Sequence, residues 1–94
     1  MNDSKNKVAI VTGGGSGIGK ASAMALANDG YSVVITGRRE DPLNTTVKEI
    51  GSDKVFAITC DVGKPESVKN MFSETMEKFG RLDVLFNNAG GGAP

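Results

Sequence analysis

The sequence predicts an α/β fold, a doubly wound parallel sheet of four strands in the order 3-2-1-4 with three helices between them. Three observations carry this. Short β-branched apolar runs alternate with helical patterns along the whole chain, the first two runs are apolar throughout instead of at every second position, and Gly or Pro stands at each junction. Runs of that kind belong to strands buried on both faces, and strands separated by helices pair in parallel through right-handed crossovers.

Lys7 to Thr12 (KVAIVT) is the first strand and ends in glycines. Gly17 to Asn28 follows as an alanine-rich helix whose small side chains allow close approach to a sheet, with Gly30 as its stop. Ser32 to Thr36 (SVVIT) is the second strand, closed by Gly37, and Tyr31 packs where it begins. Asp41 before Pro42 reads as an N-cap and a first helical position, opening a short helix to about Gly51. Lys54 to Cys60 (KVFAITC) is the third strand, and Pro65 opens the third helix. In that helix Val68, Met71, Phe72, Thr75, Met76 and Phe79 recur at helical spacing and form its apolar face, and Gly80 ends it. Leu82 to Asn87 (LDVLFN) is the last strand.

A chain of 94 residues is one small domain. Neither a repeat, a low-complexity tract nor a long linker divides it. Eleven acidic and eleven basic side chains cancel, leaving no overall field to hold nucleic acid or an anionic membrane surface. The first apolar run, Val8 to Val11, is too short for a signal-peptide core or a membrane span. With one cysteine, Cys60, placed in an apolar strand for packing, the expected location is the cytoplasm.

The loop after the first strand invites two ligands. Gly14, four residues, Gly19 and Lys20 resemble the opening of a P-loop, but Ala21 stands where a magnesium-ligating hydroxyl belongs, and Ser22 comes one residue late, about 100° round the helix. The alternative is a dinucleotide turn, spelled here TGxxxGxG from Thr12 to Gly19 in place of GxGxxG. Gly13 then permits the sharp exit from the strand, Gly17 lets the backbone approach a pyrophosphate, and Gly19 removes a side chain where helix meets sheet. The helix start offers free N–H groups and a positive dipole end, and Ser16 adds a hydroxyl donor.

TGGGSGIG at 12 to 19, Asp61-Val62 after the third strand and Asn87-Asn88-Ala89-Gly90 after the fourth together resemble the N-terminal half of a short-chain dehydrogenase/reductase, with its Rossmann-like sheet. The resemblance covers nearly the whole chain. It implies that Ile18 offers a backbone N–H to the pyrophosphate, that Asp61 accepts a hydrogen bond from the adenine amino group, and that Val62 packs on that ring. Asn87, Asn88, Ala89 and Gly90 would run along the adenosine ribose and brace the sheet. Capping of the following turn is the structural alternative for Asp61.

Where dinucleotide folds place an acid for the ribose 2′-hydroxyl, at the end of the second strand, this chain has Gly37 and then Arg38 and Arg39. Arg38, nearer the strand end, is the expected contact of a 2′-phosphate, so the expected cofactor is NADP, with NAD second. Glu40 and Asp41 lie close enough in sequence to neutralise the arginines.

The family's hydride transfer between nicotinamide and a small-molecule carbonyl or alcohol uses a Tyr-x-x-x-Lys pair. The one tyrosine here, Tyr31, has Ile35 four residues on, and there is no histidine. The expectation is therefore residues 1 to 94 as the dinucleotide-binding portion of one Rossmann-like domain, without a catalytic group or metal site and inactive alone. The fourth strand would be a bare edge and the fragment prone to self-association, while the parent protein would be a homo-oligomer. A non-catalytic dinucleotide-binding module and a P-loop NTPase are the alternatives.

Overall fold

A computed structural model describes residues 7–15 and 17–88. Strands β1 (Val8–Thr12), β2 (Ser32–Gly37), β3 (Val55–Thr59) and β4 (Val84–Phe86) alternate with helices α1 (Gly17–Asn28), α2 (Glu40–Ile50) and α3 (Pro65–Phe79). They form one parallel sheet in the order β3-β2-β1-β4, as the sequence predicts.

Strand pairing sorts the apolar side chains onto two faces, because successive residues of a strand point to opposite sides. Val11, Val33, Ile35 and Val55 pack with Ala23 and Ala27 of α1 and Leu43 of α2. Ile10, Val34 and Cys60 pack with Met71 of α3, which gives Cys60 the packing role expected of it. Tyr31 lies against the first of these clusters. All five residues of β1 are buried, so the strand at the centre of the sheet supports both layers.

Three details differ from the sequence expectation. Helix α2 starts at Glu40, and its N-cap is Arg39, in extended conformation and without a side-chain capping bond, instead of Asp41. Pro42 is tolerated two positions further in because the first-turn N–H groups have no helical partner in any case. Met76 is 48 % exposed instead of buried. It lies about 140° round α3 from Met71, beyond the stripe that meets the sheet. Strand β4 is only three residues long, and its Leu85 (47 % exposed) and Phe86 are open to solvent.

The start of β4 is fastened by a feature the sequence pattern did not single out. The Asp83 N–H donates to the Val8 carbonyl at 2.8 Å, and the Asp83 carboxylate accepts the Val8 N–H, also at 2.8 Å. Arg81 grips the same carboxylate with two hydrogen bonds, at 2.6 and 2.9 Å. The Arg81 guanidinium foremost, then the Val8 N–H, hold the Asp83 carboxyl below its ordinary pKa.

A depressed folded-state pKa contributes stability that is present above the unfolded carboxylate value of about 3.9 and is lost as pH falls through the folded value. Asp83→Asn should therefore be less stable than the wild type at neutral pH, and the gap should narrow as the medium becomes acidic. Urea midpoints across that range check this; a gap independent of pH would assign the clasp to shape instead of charge.

Candidate functional site

All four strands run in one direction, so Thr12, Gly37, Thr59 and Phe86 end at one edge of the sheet. In open parallel sheets the crevice outside these carboxyl ends is where ligands bind. The turn leaving β1 occupies its middle. Gly13 has φ of 69°, a left-handed conformation that a side chain would strain, and the Gly14 N–H donates to the Thr36 carbonyl at 3.0 Å.

Helix α1 is pressed onto this turn. A Cβ on Gly19 would overlap the Gly13 carbonyl and come within 3.1 Å of the Asn88 side-chain amide, so the contact Gly19 permits is with the turn and the end of β4 more than with the sheet. Two further glycines were not picked out from the sequence as site residues. A Cβ on Gly14 would lie 2.9 Å from a methyl of Ile35, and one on Gly15 2.9 Å from the Pro42 ring. The run of three consecutive glycines was the available signal. Around Gly17, by contrast, nothing lies within 4 Å of where a Cβ would point.

The N-terminus of α1 carries no acidic residue in its first turn, whereas α2 has Glu40 and Asp41 there and α3 has Glu66. Its partial positive charge is thus left for an outside anion. Ile18, in that first turn, is 68 % exposed. Lys20, which the P-loop reading would aim at phosphates, is ion-paired with Glu49 of α2.

Between the β1 turn, the end of β2 and the loop after β3 lies a cleft of about 840 Å³, lined by Gly13, Gly15, Gly37, Arg38, Arg39, Pro42, Leu43, Asp61 and Lys64. A second recess of about 420 Å³ shares Gly13, Gly37, Arg38 and Asp61 with it and adds Thr36, Cys60, Val62 and Gly63. The structure thus brings Gly13, Arg38, Asp61 and Val62 together around one hollow. The Thr36 hydroxyl is buried and has no hydrogen-bond partner among the described residues. Glu40 and Asp41 line a separate depression with Arg39, and among the described residues neither forms an ion pair with Arg38 or Arg39.

Asp61 takes the turn-capping role that the sequence offered as its structural alternative. Its Oδ1 accepts the Gly63 N–H at 2.9 Å, closing the turn, and its own N–H donates to the Ser67 hydroxyl at 2.9 Å. Among the described residues its Oδ2 has no hydrogen bond. At the end of β4, the Thr12 hydroxyl accepts the Asn88 N–H at 2.8 Å and lies 3.1 Å from the Asn87 side-chain oxygen. These bonds brace the sheet as the asparagine segment was expected to do. Ser16, Ala89 and Gly90 lie outside the described residues. Within them, no helix is long and apolar enough to cross a membrane, and no cluster of ligating side chains could hold a metal.

Since the Gly19 position faces main-chain atoms that cannot swing aside, Gly19→Ala should destabilise the chain by about 1 to 3 kcal/mol. Gly17→Ala meets no atom but must adopt φ of 51°, at a smaller cost of about 1 kcal/mol. Thermal or urea unfolding of the two variants ranks them; the reverse order would mean that the helix does not rest on the turn.

Residues 7–94 match the family model described as short chain dehydrogenase. An uncharacterized oxidoreductase of Staphylococcus aureus is 40 % identical over 85 residues, which are 90 % of this chain and 37 % of that protein. An actinorhodin polyketide ketoreductase crystallised with NADPH superposes with a TM-score of 0.86 at 38 % identity, over 96 % of this chain and 35 % of its own. A 3-ketoacyl-(acyl-carrier-protein) reductase from Brucella melitensis, complexed with NADH, superposes at 0.81 with 34 % identity, over 86 % of this chain and 33 % of its own. The chain therefore spans little more than a third of the length of these relatives. With the glycine turn, the cleft and the braced end of β4 in their places, this chain belongs to the short-chain dehydrogenase family, whose members are oxidoreductases built on an NAD(P)-binding Rossmann fold.

Proposed function

We propose that this chain is the NADP(H)-binding portion of a reductase or dehydrogenase acting on a small-molecule carbonyl or alcohol. The observation that carries the choice of cofactor is the end of β2. Gly37 leads into Arg38 with no carboxylate to take a ribose hydroxyl, and Arg38 lines both hollows of the crevice without an ion pair among the described residues. The fit extends to the rest of the crevice: an uncompensated helix N-terminus suits a pyrophosphate, and the free Oδ2 of Asp61 suits the adenine amino group.

In this reading Gly13 and Gly17 bring main chain close to the pyrophosphate, the Ile18 N–H and the Ser16 hydroxyl donate to it, and Gly19 sets the height of the helix. Val62 covers the adenine ring, while Asn87, Asn88, Ala89 and Gly90 follow the adenosine ribose. The nicotinamide supplies hydride chemistry when bound. This chain's own residues bind and orient, and none is placed to move a proton: there is no histidine, and Tyr31 packs in the core. On that ground the 94 residues alone should show no turnover. The open edge of β4, with Leu85 and Phe86 exposed, should favour self-association.

Calorimetric titration with NADPH, NADH and magnesium ATP separates the readings. The expected order is NADPH tightest, and Arg38→Ala should remove about ten- to a hundredfold of the NADPH affinity while sparing NADH, the range for a charge-assisted hydrogen bond. Equal affinities for the two nicotinamide cofactors, unchanged in the variant, would remove the NADP assignment. Tightest binding of magnesium ATP would remove the dinucleotide reading altogether.

A further inference from the structure

Resting on the NADP reading above, we propose that Lys64 is a further specificity-determining residue, supplying a cation to the ribose 2′-phosphate from the β3 side of the cleft while Arg38 acts from the β2 side. Lys64 lines the same hollow as Gly13, Arg38, Arg39 and Asp61. The three cations come from two separate loops, which follow neighbouring strands of the sheet.

Its main chain is fixed. Lys64 is the N-cap of α3; its N–H donates to the Asp61 carbonyl at 2.9 Å and its carbonyl accepts the Val68 N–H at 3.1 Å. Pro65 follows, and the loop before it is tied by Gly63 N–H to Asp61 Oδ1 and by Asp61 N–H to Ser67 Oγ. The side chain, in contrast, makes no capping bond and no ion pair among the described residues. A flexible ammonium on a pinned backbone suits a point-charge contact to a phosphate dianion.

The surrounding charges favour this over a merely solvated lysine. Arg38, Arg39 and Lys64 face a single carboxylate in the cleft, Asp61, one of whose oxygens already closes the turn. Glu40 and Asp41 line an adjoining depression that Arg39 also borders, but among the described residues neither is ion-paired with it. Glu66 lines a further hollow with Lys64 and is the competing partner, but it is not within ion-pair distance. Three cations gathered around one carboxylate still repel one another, and a dianion placed among them relieves that repulsion.

The test uses adenosine 2′,5′-bisphosphate and adenosine 5′-monophosphate, which differ in the phosphate at issue and require only the adenosine side of the crevice. Calorimetry of the wild-type chain and of Lys64→Met, Lys64→Arg, Glu66→Gln and Arg38→Ala supplies the arms, with circular dichroism to verify folding. Lys64→Met should weaken the bisphosphate about three- to tenfold and leave the monophosphate unchanged, the magnitude of a partly solvated charge contact. Lys64→Arg should restore most of the loss, Glu66→Gln should leave both ligands unaffected, and raising the salt should shrink the difference between wild type and Lys64→Met. If Lys64→Met binds both ligands like the wild type while Arg38→Ala loses the bisphosphate, Lys64 has no part and the NADP assignment stands. If the wild type does not distinguish the ligands, or binds neither, the NADP assignment fails and this inference with it.

Discussion

The site depends on one close contact, that of the first turn of α1 with the backbone of the Gly13 turn. No Cβ fits between Gly19 and the Gly13 carbonyl, so the helix sits as low on the turn as a chain can. That height fixes where the start of the helix lies relative to the end of β1. Because Gly13 must also take a left-handed φ, the turn and the contact are two requirements on one short segment. Residue choice elsewhere in α1 follows from the same approach: Ala23 and Ala27 are buried against the sheet, where larger side chains would lift the helix away.

A second consequence is electrostatic. Helices in water gain from acidic residues in the first turn, and α2 and α3 both have them. Helix α1 forgoes that stabilisation. Its lysine nearest the N-terminus, Lys20, is drawn off by Glu49, so the helix end is neither neutralised by its own acids nor crowded by that ammonium. The arrangement makes sense if the balancing charge arrives with a ligand.

Much of this was legible in the sequence because it is written in local chemistry. The alternation of apolar runs with helical faces gave the parallel sheet, the strand order followed from the fold class, and Gly13 and Gly19 announced the turn. The misses share a cause, which is that they depend on which neighbour a residue meets. Asp83, within the run read as the last strand, fastens β4 to Val8, a residue 75 positions earlier. Gly14 had a role only in the P-loop reading and Gly15 had none, yet each lies against a residue of β2 or α2. Met76 fitted the helical period and still fell outside the stripe, since periodicity gives a direction and not the width of the surface that will cover it. Lys64 was invisible for the same reason, as only the folded chain brings it to the cleft that holds Arg38.

The same sheet that builds the crevice leaves its own far edge unfinished. Strand β4 is braced at both ends, by the Asp83 clasp where it starts and by the Thr12 hydroxyl where it leaves the sheet, yet between them Leu85 and Phe86 face solvent from opposite sides. Bracing of this kind holds the position of an edge strand whose two faces are exposed. Since Asn88 reaches from the end of β4 to the Gly19 contact, the edge and the glycine turn are mechanically joined. Movement of β4 would therefore carry to the turn on which α1 rests, through Asn88 beside Gly19 and through the Thr12 hydroxyl.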